Sequence, residues 1–293
     1  MKLLGVYKNG NYNVVIFDDG TKIRKTEENE FKAEFPECMD IKITNYCDMG
    51  CPYCHEDSNT EGKHGDILSA KFIDSLHPYT ELAIGGGNPL SHPDLKEFLI
   101  RLKAKKIIAN MTVNQTHFLK NKALLKALVD MDLIKGLGIS FIKPTEELIE
   151  ALKEFPNAVL HVINGVVNYM DLKELFDNDF KILILGYKEF RRGKEFHSSE
   201  IEYKKTIIYD KLEEIVNRFK VVSFDNLALK QLDVKRLMTE EEWQKFYMGD
   251  DGKFTMYIDM VNEKFAQCSI AEQRYDLLDN IKDMFKVVLE TEK

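Results

Sequence analysis

From Met39 to Gly186 the chain alternates short apolar runs with helical stripes six times over. The runs are Ile41 with Ile43, Leu82 to Ile84, Ile107-Ile108 onward to Asn114, Leu137 to Phe141, Val159 to Ile163, and Ile182 to Leu185. Between them Leu68, Phe72 and Leu76 recur at helical spacing, and Ser91, Pro93 and Asp94 have the chemistry of a helix start. Leu124, Leu125, Leu128 and Val129 form another stripe, Pro144 starts the helix carrying Leu148, Ile149 and Leu152, and the last stripe runs through Leu172 and Leu175. Apolar strands separated by amphipathic helices predict an α/β fold with a parallel sheet covered on its faces. Six units are fewer than the eight of a closed barrel. A partial (β/α)6, TIM-like barrel over residues 36–190 is the expectation, with an open sheet as the other arrangement that fits.

Residues 1–35 read as a β extension. Asn9-Gly10 and Asp18-Asp19-Gly20 are hairpin turns between apolar segments, because these residues tolerate positive φ. Such a prefix is expected to cover a sheet edge or a barrel mouth. Residues 191–293 read as a mixed α/β region closing the mouth. It holds a long helix from Ile201 to Phe219, a strand at Val221–Phe224, and a capping box from Thr239 to Glu242. A hairpin of Phe254–Asp259 with Phe265–Cys268 and a terminal helix through Ile281, Phe285 and Val288 complete it. No internal repeat beyond the strand–helix rhythm stands out.

Composition narrows the function. With 41 Lys+Arg against 49 Asp+Glu the net charge is −8, which disfavours a broadly basic nucleic-acid surface. The local loop with Lys188, Arg191, Arg192 and Lys194 keeps RNA open. No run approaches the roughly twenty apolar residues of a membrane span. The start of the chain lacks the pattern of a signal peptide, so the cytoplasm is the expected compartment. The five cysteines are 38, 47, 51, 54 and 268, three of them within eight positions. That is a poor disulfide framework and a good metal framework.

Cys47, Cys51 and Cys54 have the spacing C-x3-C-x2-C directly after the first apolar strand. A tight loop of three thiolates suits a soft metal centre, and a 4Fe–4S cube held by three leaves one iron open for chemistry. Structural zinc is the competing reading, but the second downstream pair that zinc sites use is absent. With Tyr53 before the third cysteine, the motif resembles that of the radical S-adenosylmethionine (SAM) enzymes. The resemblance covers roughly residues 39 to 190.

The resemblance implies that Cys47, Cys51 and Cys54 hold a 4Fe–4S cluster whose free iron chelates SAM. Reductive cleavage of SAM then gives a 5′-deoxyadenosyl radical that abstracts a substrate hydrogen, with flavodoxin or ferredoxin as electron donor. Tyr53 would line the adenine pocket. Gly86-Gly87-Asn88-Pro89 matches the family's Gly-Gly-Glu-Pro turn, whose backbone binds the cofactor's amino group, with Asn88 in place of the acid. Asn114 and Ser140 at strand ends would contact the methionyl carboxylate and ribose, with Lys143 a carboxylate partner. Asn164 and Gly186 complete the cofactor set. His161, inside an apolar strand, reads better as a core histidine.

The substrate reading favours a peptide or protein side chain, on the loop from Tyr187 to Phe196 and the hairpin near Met256–Phe265 as polar and aromatic surfaces. A small metabolite, a nucleotide precursor or RNA are the alternatives, and a non-catalytic iron–sulfur or zinc protein is the alternative outside enzymes. His55-Glu56-Asp57 and His64-Gly65-Asp66 are candidate substrate contacts, equally readable as loop polarity. Cys268 reads as a buried small hydrophobe or a hydrogen donor to a substrate radical. The cysteine-rich extension of many peptide-modifying relatives is absent.

Overall fold

The fold is described by a computed structural model covering residues 2–291; Met1 of the prefix and Glu292 and Lys293 of the last region lie outside the described residues. Two sheets organise the chain. The prefix forms an antiparallel meander of β1 (Leu3–Asn9), β2 (Tyr12–Phe17) and β3 (Lys22–Lys25). The main sheet begins with β4 (Cys38–Thr44), β5 (Glu81–Gly86), β6 (Ile108–Asn114), β7 (Leu137–Ser140), β8 (Ala158–Ile163), β9 (Lys181–Leu185) and β10 (Val221–Phe224). These seven lie parallel in chain order, as a singly wound barrel requires. β11 (Thr255–Asp259) joins the opposite edge, parallel to β4, and β12 (Lys264–Ala266) and β13 (Tyr275–Asp276) extend that edge antiparallel. β10 and β13 end the sheet, so the barrel is open between them. The expected six-unit partial barrel is present, and the carboxy-terminal region adds strands to both of its edges.

The helices are α1 (Leu95–Ala104), α2 (Gln115–Lys120), α3 (Lys122–Asp130), α4 (Glu146–Lys153), α5 (Tyr169–Lys173), α6 (Arg192–Phe196), α7 (Ser199–Asp210), α8 (Leu212–Arg218), α9 (Asn226–Gln231), α10 (Glu240–Phe246) and α11 (Ile281–Thr291). Alternate strand residues such as Ile41, Ile84, Met111, Ile139, Leu160 and Ile182 are buried in one continuous core with Phe98, Leu125, Leu148 and Leu172. Successive strand side chains point to opposite faces, so the other face carries Asp40, Thr112, Asn114, Ser140 and His161. A β-carbon on Gly138 would meet His161 and Thr112, which puts these three strands' inner residues against one another. The strands are therefore not uniformly apolar, and their inner face is partly open and polar.

Several local expectations change. The stretch around Leu68–Leu76 holds only a 3-10 turn at Lys71–Ser75, bounded by extended backbone at Ala70 and Leu76. Ser91 belongs to a 3-10 turn and its hydroxyl donates to the Asn88 carbonyl at 2.6 Å, so α1 starts only after Asp94. Thr145, not Pro144, caps α4 by accepting from the Leu148 amide. The long helix from Ile201 to Phe219 is two helices broken at Lys211. The Thr239–Glu242 capping box forms as expected.

The prefix packs where the barrel strands start. Glu37, just before β4, takes two hydrogen bonds from Arg24 at 2.8 and 3.1 Å and one from the Tyr12 hydroxyl at 2.6 Å. Lys22 pairs with Glu81 at the start of β5 at 2.6 Å. Cys38 opens β4 in this cluster, and a seven-residue strand spans about 20 Å, so Cys38 stands far from the cysteines beyond the other end.

Candidate metal centre and active site

The cysteine loop leaves the carboxyl end of β4 and is tied down by backbone bonds. Cys47 donates to Asn59, Asn59 to Asn45, and Asn45 to Lys63, at 2.8 to 3.1 Å. Cys47, Cys51 and Cys54 are free thiols, each partly exposed. Burial pushes the Cys47 and Cys51 thiols up, and the neighbouring thiols push further. Three such groups repel one another as anions, so the loop calls for a cationic centre to hold them as thiolates. Three soft thiolates on one loop fit an iron–sulfur cluster, which takes its protein ligands from cysteine. The Tyr53 ring lies 6.0 Å from that of Phe196, tilted by 54°, and burial with the nearby Cys51 pushes its hydroxyl up to about 12.

The glycine turn at the end of β5 holds this loop from beneath. Gly86 has φ +110°, a conformation open to glycine at little cost, and a β-carbon there would overlap the Thr44 carbonyl oxygen. The Gly87 amide donates to Thr44 at 2.8 Å and the Asn88 amide to Tyr46 at 2.7 Å. The close approach that these glycines permit is thus to the chain's own residues 44–46. The Asn88 side chain accepts from the Leu90 amide, and its nitrogen lies 3.4 Å from His117 Nε2. That same ring nitrogen is 2.6 Å from Asp48, between the first two cysteines. Burial opposes ionisation of Asp48, yet the His117 hydrogen bond holds its carboxyl below the usual range. Asp48–His117–Asn88 therefore links the cysteine loop to the glycine turn. His117 carries no sequence signal for this, since it is one polar residue on a short helix.

At the strand ends, Asn114 pairs in register with Ser140, and Ser140 with His161. The Asn114 side-chain oxygen accepts from the Thr116 amide at 2.8 Å and caps α2. Ser140 is half-buried, and the Lys143 side chain is exposed while its backbone is held by Gln115. Desolvation alone lowers His161 to about 4, so the ring is neutral at ordinary pH. Asn164 is fully buried and donates to Gln231 at 3.1 Å, leaving its own buried carbonyl oxygen with no hydrogen-bond partner. Gly186 donates to Asp225 at 2.9 Å and lies against Leu227. Asn164 and Gly186 thus face α9 and the residue before it.

The loop from Tyr187 to Phe196, expected as a substrate surface, packs on the cysteine loop. Arg191 donates to the Glu56 carbonyl at 2.9 Å, and Arg192 holds the Ser58 carbonyl and pairs with Asp57 at 2.9 Å. Lys188 reaches both His55 Nε2 at 3.3 Å and the Ser269 hydroxyl at 2.9 Å. Burial, with Lys188 and Arg191 close by, keeps His55 well below its ordinary value, hence neutral and able to accept. The polarity of this loop serves internal contacts. The hairpin is no surface either, since Met256, Tyr257, Ile258 and Phe265 are buried.

A buried charge cluster fixes the far side. Lys42 in β4 is 2% exposed and stands 3.1 Å from Glu56 and 3.3 Å from Asp259. Glu56 also accepts from the Tyr257 hydroxyl at 2.9 Å. Glu56, Asp57 and His64, expected as substrate contacts, are engaged in loop order; His64 bonds Thr44 at 2.8 Å, and Asp66 caps the Leu68 and Ser69 amides.

Residues 41–181 match the sequence model of the Radical SAM superfamily. The match spans just under half of the chain, and members of that superfamily are enzymes. Among solved structures the chain is similar to SuiB of Streptococcus suis, with TM-score 0.61 at 14% identity over 98% of this chain and 87% of that one. SuiB bound to S-adenosylmethionine aligns at TM-score 0.60 and 13% identity over 92% and 85%. SuiB bound to its precursor peptide SuiA aligns at 0.58 and 16% over 87% of this chain, which spans 65% of that chain's length. These likenesses establish the fold. No curated protein matches the chain. No helix among the described residues is long and apolar enough to cross a membrane.

Proposed function

We propose that the chain is a radical SAM enzyme acting on a peptide or protein side chain, with residues 36–190 as the catalytic barrel between the 1–35 prefix and the 191–293 region. The observation that carries it is the three-cysteine loop at the carboxyl end of β4, braced on the Gly86-Gly87 turn inside an open parallel barrel. Cys47, Cys51 and Cys54 would hold the cluster and Tyr53 would flank the adenine. When bound, the cluster and SAM supply a 5′-deoxyadenosyl radical able to take a substrate hydrogen. The Gly87 and Asn88 amides are engaged, so the turn has carbonyl oxygens to offer, which suits an ammonium donor. The capped Asn114 keeps its amide nitrogen for a carboxylate, with Ser140 and Lys143 beside it. Asn164 and Gly186 would support the pocket wall from α9.

The peptide reading draws on SuiB, whose structure holds a precursor peptide, and on the lateral opening between β10 and β13. Five free cysteines suit the reducing cytoplasm, where flavodoxin or ferredoxin would deliver the electron. The test is anaerobic reconstitution followed by reduction. The protein should bind about four irons, change its spectrum on adding SAM, and release 5′-deoxyadenosine, faster with a precursor-length peptide encoded beside its gene. A full, reducible cluster that leaves SAM intact would refute the reading.

A further inference from the structure

Lys188 and Arg274 meet at Ser269 from the two sides of the barrel's opening. Lys188 follows β9, which pairs with the edge strand β10, and Arg274 immediately precedes β13, the edge strand across the gap. Ser269 is buried; its hydroxyl accepts from Lys188 at 2.9 Å, and its carbonyl oxygen accepts from Arg274 Nη2 at 2.6 Å. A cavity of about 590 Å³ opens beside them, with Cys268, the neighbour of Ser269, in its wall.

Both cations are half-buried, and their contacts are neutral. Lys188 reaches the His55 ring and the Ser269 hydroxyl, which leaves its ammonium a third donor. The Arg274 guanidinium lies 5.1 Å over the Tyr257 ring, and its Nη1 is buried with no hydrogen-bond partner. The carboxylates nearby are occupied. Glu56 serves Lys42, Arg191 and the Tyr257 hydroxyl, and Asp259 serves Lys42 and Asn262. Asp225 accepts from the Gly186 and Ala228 amides; it and Asp40 feel Lys188 through space, but among the described residues neither bonds to it. A buried N–H on a charged group, left without an acceptor, carries the desolvation cost of that group uncompensated. A guanidinium fork beside an ammonium is matched by a carboxylate, which accepts from both.

We propose that Lys188 and Arg274 form an anion site at the lateral opening, and that it takes a carboxylate carried by the substrate peptide. The inference deepens the peptide-modifying reading and rests on it for the substrate class. Lys188 also touches His55, next to the third cysteine, so a carboxylate held here enters beside the metal loop.

The experiment uses reconstituted holoenzyme with SAM and three probes: N-acetyl-glutamate methylamide, its neutral isostere N-acetyl-glutamine methylamide, and propionate. Calorimetry at low salt should show the glutamyl probe binding about tenfold tighter than the glutaminyl one or better, and added salt should shrink that preference. Arg274→Gln and Lys188→Met should each remove most of it, and Arg274→Lys should keep part, while iron content and the SAM-induced spectral change persist. Equal or absent binding of the two amino-acid probes, a preference indifferent to salt, or one that survives in either variant overturns the proposal. Should one variant fail to fold, the other variant and the salt dependence decide. A weakened SAM response in Arg274→Gln or Lys188→Met would assign the site to the methionyl carboxylate instead, and propionate binding as tightly as the glutamyl probe would assign it to free acids; both overturn the substrate assignment. A holoenzyme that prefers the glutamyl probe yet never cleaves SAM would refute the enzymatic reading and leave the anion site standing, whereas one that cleaves SAM without the preference loses the anion site alone.

Discussion

A β-carbon on Gly87 would overlap the carbonyl oxygen of Tyr46, the residue that precedes the first cysteine. The glycine turn and the metal loop are therefore one packed unit. Gly87→Val should displace residues 44–47 and lower iron loading together with SAM binding. Asn88→Ala removes a cap bond and a contact with His117, and should reduce SAM affinity by less than tenfold, about 1 kcal/mol. Iron analysis beside SAM titration decides it. A Gly87→Val protein with full iron and no SAM binding would mean that the glycine makes room for cofactor alone.

The cysteines divide into two groups. Cys47→Ala, Cys51→Ala and Cys54→Ala should each lose most bound iron, while Cys38→Ala and Cys268→Ala retain it. Cys38 lies at the opposite end of β4, and Cys268 sits on the cavity wall. Normal iron in Cys51→Ala would remove the cluster assignment.

Lys42 holds two carboxylates with almost no water to screen them. Lys42→Met leaves Glu56 and Asp259 buried without it, at a cost on the order of 3–5 kcal/mol. For a chain of this size that is roughly 6–15 °C in thermal midpoint. An unchanged midpoint would show that Arg191 and Tyr257 suffice for Glu56 and that the Asn262 contacts suffice for Asp259.

His161 makes stability depend on acid. The folded ring titrates near 4 against 6.5 when unfolded, because burial disfavours its charged form. Between these values only the unfolded chain takes up the proton, so stability present above about 6.5 falls as pH drops toward 4, by up to roughly 3 kcal/mol. His161→Gln should flatten that decline. Urea midpoints at pH 7.5, 5.5 and 4.5 measure it; parallel declines in both proteins would place the sensitivity elsewhere.

The strand–helix rhythm was readable because apolar period and turn chemistry are local, and the cysteine spacing because a metal loop is local too. Contacts that join distant segments were not. Asp40 and Lys42 alternate with Met39, Ile41 and Ile43, a period-two pattern that marks a polar inner face, but nothing local shows what that face meets. Arg191 and Arg192 looked like surface charge because their partners, Glu56 to Ser58, lie more than a hundred residues earlier. The break at Lys211 has no local signal, since no glycine or proline marks it.

The place of β11 beside β4 has a consequence for biosynthesis. β4 leads into the metal loop, yet its outer neighbour and the second counter-ion of Lys42, Asp259, come from residues some 217 positions later. During translation the amino-terminal half emerges with that edge bare and that lysine half-matched. Glu56, two residues past the third cysteine, gains its Arg191 and Tyr257 partners only after those later segments are made, so the cysteine loop is braced late in synthesis.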